Sequence, residues 1–174
     1  MLFPLRTLAT FSVLLAAGCA SAPPVQILTP FHDDDFSTWN KSGPFTVTGQ
    51  AFFKLPSGQV ITCAGENVSL IPAVGYNTEL EQILATGKGY PSNYDRHEHK
   101  YDHKVMCDGA GKFSFEGIPA LNWIAVTRVT WSEPSSIPYM GPDSKGGYLF
   151  SEIQVDETHT KMLLSNQDFT ADAP

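Results

Sequence analysis

Leu121 to Trp131 is the longest stretch of β-forming residues in the chain, and it limits the available folds more than any other segment. On an extended backbone, Trp123, Ala125, Thr127, Val129 and Trp131 fall on one side, and Ile124, Val126 and Arg128 on the other. A strand that is largely apolar on both sides belongs in the middle of a sheet. Other β signals surround it. Phe45 to Leu55, Gln59 to Ala64 and Asn67 to Pro72 follow at close spacing, with Val68 and Leu70 on one face, and read as a meander. Lys104 to Asp108 and Lys112 to Phe115 flank the turn Asp108-Gly109-Ala110-Gly111. Tyr148 to Val155 and Thr158 to Leu164 close the domain as two strands around Asp156-Glu157. Glu133 to Gly147 holds three prolines and three glycines and reads as a loop; residues 88–104 read as a long polar loop. One helix is expected, Asn77 to Thr86, capped by Asn77 or Thr78, with Leu80, Ile83 and Leu84 on one face. It is expected to pack across an open end of the fold. The predicted class is all-β, a two-sheet sandwich of about seven strands with one short inserted helix.

The chain has 174 residues, 42% hydrophobic and 17% charged, which suits one globular domain. Its formal net charge is −7 and no stripe of Lys and Arg occurs, so the electrostatic footprint of a nucleic-acid binder is missing. Residues 1–18 read as an export leader: Arg6 precedes an apolar run from Leu8 to Ala17 that is too short for a bilayer span of about 20 residues. The run ends in Leu15-Ala16-Ala17-Gly18-Cys19, which resembles the lipobox of bacterial lipoproteins, although Ala16 stands where Leu is usual. That resemblance implies cleavage before Cys19 and transfer of a diacylglyceryl group, palmitate included, to its thiol. With Ala20 next, it also implies delivery to the outer membrane. The resulting divisions are a leader (1–18), a lipidated tether and N-terminal segment (19–43, with 20–30 as the tether proper), a β-sandwich domain (44–166) and a C-terminal tail (167–174).

With Cys19 assigned to lipid, Cys63 and Cys107 remain as one pair in an oxidising compartment, and a structural disulfide is expected. Reactive thiols or metal thiolates are the alternative, but no close C-x-x-C is present.

Several segments in order resemble the carboxypeptidase regulatory-like domain, a small sandwich of the transthyretin-like (prealbumin-like) type. Val47-Thr48-Gly49-Gln50-Ala51, Pro56-Ser57-Gly58 and Ala64-Gly65-Glu66-Asn67-Val68-Ser69-Leu70-Ile71-Pro72 match its opening. Cys107-Asp108-Gly109-Ala110-Gly111-Lys112-Phe113-Ser114-Phe115-Glu116-Gly117-Ile118-Pro119 is similar to its central signature, and Trp123-Ile124-Ala125-Val126 takes the place of the strand that follows. Cys107 stands where Thr is common, and Asn122-Trp123 replaces a glycine–aromatic pair. The physics of the central segment is sensible by itself: Asp108 can hold backbone amides ahead of it, Gly109 and Gly111 tolerate positive φ, and Phe113 and Phe115 enter the core together. The resemblance implies a module without catalytic zinc that spaces, stabilises or binds. Residues 77–104 are an insertion relative to the shortest members and a natural place for a private function.

Asp95 to His103 is the densest cluster of chemically useful groups. His97, His99 and His103 fall within it, and neutral imidazoles with a carboxylate are a ligand set for zinc or copper. The interleaved Arg96, Lys100 and Lys104 oppose a cation. Catalysis has little support: no serine stands in a G-x-S-x-G elbow and no H-E-x-x-H occurs. Asp33-Asp34-Asp35 lacks the spacing of a calcium loop and reads as an acidic turn. Trp39, Trp123, Trp131 and Tyr148 could line a binding face, but the shared parity of Trp123 and Trp131 favours the core. The expected function is a non-catalytic envelope lipoprotein presenting a binding or scaffolding module, with membrane lipid through Cys19 and an envelope protein or glycan as partners. A zinc- or copper-binding lipoprotein using His97, His99 and His103 is the alternative.

Overall fold

The computed structural model describes residues 24–87, 89–135, 137, 139 and 141–172. The leader and Cys19 therefore lie outside the described residues. Nine strands and one α-helix follow in the order β1 (Phe45–Lys54), β2 (Val60–Thr62), β3 (Asn67–Pro72), α1 (Gly75–Ala85), β4 (His103–Met106), β5 (Lys112–Ile118), β6 (Asn122–Glu133), β7 (Asp143–Gln154), β8 (Lys161–Leu164) and β9 (Phe169–Ala171). One sheet is built around β1, which pairs with β5, with β2 along Phe52–Lys54 and with β8 along Thr48–Ala51. The other runs β4-β3-β6-β7-β9. The β1–β8 pair is parallel and the rest are antiparallel. The all-β sandwich is as expected, with nine strands rather than seven.

The core lies between the sheets and follows the period of two. Val47 and Ala51 of β1, Val68 and Leu70 of β3, Phe113 and Phe115 of β5, Trp123, Ala125 and Val129 of β6, and Leu149 and Ile153 of β7 are all buried there. As expected, β6 is central, held by β3 on one side and β7 on the other. Cys63 follows β2 in one sheet and Cys107 follows β4 in the other. Their disulfide, Cα–Cα 5.8 Å, ties the two layers together. Beside it, Asp108 Oδ1 accepts the Ala110 and Lys112 amides at 2.9 and 2.7 Å, and Gly111 takes φ +78°. A Cβ at Gly111 would press on the Ala51 carbonyl oxygen, so backbone approach as well as φ requires glycine there.

Several expectations are corrected. The first three strands are no meander: after Cys63 the chain turns at Gly65 (φ +81°) and β3 enters the opposite sheet. The two strands expected around Asp156-Glu157 are present, but they lie in different sheets, and β8 joins β1. Alternation names the buried face of a strand but not the layer it joins, and short turns serve both purposes. Residues 143–147, read as loop, begin β7 and pair with β6 from Asp143 onward; the two glycines there are tolerated because the partner strand supplies the ladder. The tail from 167 carries β9, paired to β7 along Gly147–Leu149, and Phe169 packs on Phe53 with ring centroids 4.2 Å apart.

The helix starts at Gly75, without a side-chain cap at Val74. Asn77 is instead buried, and its amide donates to the Pro72 carbonyl. The N-terminal segment and the insertion share a second small core: Ile27, Phe36, Val74, Tyr76 and Leu80 are buried together, with Ile83, Leu84, Tyr94 and Tyr101 packed against them. The expected tether is thus docked from its described start. Ile27 exchanges hydrogen bonds with Asn93, and the Leu28 and Thr29 amides donate to the Glu79 carboxylate at 2.7 Å each. The acidic turn is a 3-10 segment, Asp33–Phe36. Asp33 accepts from Lys100 and Tyr101, whose ring stacks on Phe36 at 4.2 Å. No helix among the described residues is long and apolar enough to cross a membrane.

Candidate functional site

The outward face of the β4-β3-β6-β7-β9 sheet is not left bare. Ser69 and Ile71 of β3, Lys104 of β4, Val126 of β6, and Tyr148 and Phe150 of β7 project from it, opposite in parity to the buried core residues. Leu80 and Leu84 of α1 stand over part of this face. The chain then turns through residues with positive φ at Gly87 and Gly89 and returns as Tyr90 to Asp102. Between the sheet and this roof is a cleft of about 250 Å³, mostly apolar, with Tyr90, Tyr94, Tyr148 and Phe150 among its walls. Concave, mainly apolar sites with a few convergent polar groups are the usual form of a small-ligand site, and this one is at the small end.

The polar groups converge at one wall. The segment read as a polar loop contains a 3-10 turn, Arg96–Tyr101, started by Asp95, whose carboxylate accepts the His97 amide. The turn directs Glu98 inward, so that this acidic residue is 1% exposed. The Tyr94 hydroxyl donates to Glu98 Oε1 at 2.7 Å and lies 2.6 Å from His99 Nε2. His99 Nδ1 is 2.9 Å from Glu98 Oε1 and 3.0 Å from Asp102 Oδ2. The Asp102 side chain, 1% exposed, also meets Lys104 Nζ at 3.3 Å. Burial raises the pKa of both carboxyls; Glu98 is held up further by Asp102 and pulled back by the Tyr94 hydrogen bond. Burial likewise pushes the Tyr94 and Tyr90 phenols up. Among the described residues, Glu98 Oε2 and Asp102 Oδ1 have no hydrogen-bond partner. Two buried carboxyls, an imidazole, a phenol and an ammonium therefore face a cleft walled by aromatic rings. Such groups can accept from and donate to hydroxyls while the rings cover apolar faces.

The three histidines singled out by sequence are not gathered. His97 points outward, 79% exposed, against Asp95. His103 begins β4, opposite Leu70, and packs edge-on against Trp123 with centroids 5.2 Å apart. Only His99 reaches the cleft, and its grouped neighbours are Glu98 and Asp102. The segment coils as 3-10 from Arg96 to Tyr101, which turns its neighbouring side chains in different directions. Of the aromatic candidates, Trp123 is buried and Trp131 stacks on Phe53 at 5.3 Å, as expected for core. Trp39 donates to the Asn122 carbonyl, and Tyr148 alone lines the cleft. Sequence reasoning did not single out Tyr90, Tyr94, Glu98 and Asp102: their spacing of four would gather them only on an α-helix, and this segment is irregular and then 3-10.

An all-β two-sheet sandwich with one short helix is the class that fold and site define. Its backbone is similar to the crystal structure of a putative carbohydrate binding protein from Pseudomonas aeruginosa. The TM-score is 0.66 at 20% identity, over 79% of this chain and 99% of that one. At that identity the likeness establishes the fold. Comparison with protein-family models and with curated proteins returns no match.

Proposed function

We propose that the protein is a non-catalytic envelope lipoprotein whose sandwich binds a glycan in the cleft under α1. The observation that carries this reading is the cleft itself, where Tyr90, Tyr94, Tyr148 and Phe150 surround the buried Glu98 and Asp102. Sugar rings present apolar faces edged by hydroxyls, and stacking rings beside carboxyl acceptors fit both features. The described sandwich neighbour, a putative carbohydrate binding protein, supports a sugar ligand by analogy of fold. The resemblance to the regulatory-like domain supports a binding role without catalysis. The Cys63–Cys107 disulfide suits an exported chain, and the lipobox supplies Cys19 as its outer-membrane anchor.

Titration of the purified protein in detergent against a panel of cell-envelope oligosaccharides tests the ligand. Specific binding is expected, weakened roughly fivefold, or about 1 kcal/mol, by Tyr148→Ala through loss of a stacking face. Absence of binding across the panel, or binding indifferent to Tyr148→Ala and Tyr94→Phe alike, rejects the cleft as a glycan site. The anchor is tested separately by mass spectrometry: an acylated N-terminus at Cys19 is expected, and a retained leader would refute it.

A further inference from the structure

We infer that Glu98, His99 and Asp102 form a site for one divalent cation of the zinc class in the inner wall of the cleft. The inference does not depend on the glycan reading. Each residue offers a ligand atom, one imidazole nitrogen and two carboxylate oxygens, and the three lie within 4.8 Å of one another. Around a tetrahedral zinc with bonds of about 2.0 Å, ligand atoms stand about 3.3 Å apart. His99 Nδ1 already sits 2.9 and 3.0 Å from the two carboxylate oxygens, so small rotations would open the group around an ion.

A second observation separates this cluster from an ordinary acidic patch. Glu98 Oε2 and Asp102 Oδ1 are buried without a partner among the described residues, on side chains that are 2% and 1% exposed. Buried polar atoms normally find a partner, and a buried charge is normally paired or coordinates metal. Lys104 offers one positive charge to two carboxyls, and at 46% exposure it can swing into solvent when an ion arrives. His99, 43% exposed, leaves a path from outside. One imidazole and two carboxylates form a mixed N,O set that suits zinc better than a thiolate-preferring or all-oxygen ion. Tyr94, bonded to Glu98 and close to His99, orients both as an outer partner. The assignment differs from the set of three histidines expected from sequence: His97 and His103 have no part in it.

Calorimetric titration of the purified protein in detergent with zinc chloride tests the site. One equivalent of zinc is expected to bind, with affinity reduced at least tenfold by Glu98→Gln and by Asp102→Asn, and unchanged in a His97→Ala, His103→Ala double variant. Failure to bind zinc stoichiometrically, binding that survives both isosteric substitutions, or binding that depends on His97 and His103 would overturn the assignment. If either variant does not fold by circular dichroism, cobalt(II) added to the unaltered protein decides. Visible absorption of a four- or five-coordinate N,O site is expected, and the weak spectrum of hydrated cobalt rejects the site.

Discussion

Asp156 shows how one exposed side chain can organise a connection. In the turn between β7 and β8, its Oδ1 accepts the Thr158 amide at 2.7 Å, the Thr158 hydroxyl at 2.8 Å and the His159 amide at 2.8 Å. His159 Nδ1 lies 2.9 Å away. The His159 side chain, then the Thr158 hydroxyl and amide, hold this carboxyl well below its ordinary value of 3.8. A depressed pKa in the folded state means that the turn's contribution is complete above the unfolded value and is lost as pH falls through the folded one. Urea unfolding should therefore show stability declining below about pH 4. Asp156→Asn should reduce the difference between pH 3 and pH 7; an unchanged difference would show that the turn does not depend on the charge.

The edge strand β9 depends on a glycine of its partner strand. Gly147 pairs with Ala171, and a Cβ there would run into the Thr170 carbonyl oxygen and the Phe169 ring. Gly147→Ala is expected to cost about 1–3 kcal/mol, as overpacking does, and to detach β9 from β7. Hydrogen exchange should then lose protection along Gly147–Leu149, and packing of Phe169 on Phe53 and Trp131 should loosen with it. Retained protection would mean that the sheet shifts to accept the methyl group. The same strand borders the cleft through Thr170 and Ala171, so ligand binding should weaken in this variant as well.

For the molecule as a whole, the disulfide couples the two sheets through residues 44 apart in sequence. Cys63→Ser with Cys107→Ser should lower stability by about 4 kcal/mol on the loop-entropy account. The check is denaturant unfolding of oxidised protein, reduced protein and variant. The last two should agree, and a variant as stable as the oxidised protein would refute the role. This pair was legible in the sequence because, with Cys19 read as lipidated, only two cysteines remained. The path of the chain was not: Asn67 to Pro72 announces its buried face through Val68 and Leu70, yet β1, β2 and β5 were equally open to it as neighbours. The site was legible only as a region. The insertion was marked by its polar and histidine-rich composition, but the 3-10 turn at Arg96–Tyr101 was not, and around it Glu98, His99 and Asp102 lie together.

The alternating faces of the strands, the central place of β6, the Asp108 turn and the pairing of Cys63 with Cys107 could be read from the amino acids alone, since these follow from local sterics, solvation and the count of thiols. Long-range packing set which sheet each strand entered, added residues 169–171 as an edge strand, and brought Glu98 and Asp102 to His99 beside Tyr94. Those outcomes depend on contacts between distant segments. Local propensity does not distinguish neighbours in one sheet from neighbours across a core, and a carboxylate becomes buried only when other elements close over it.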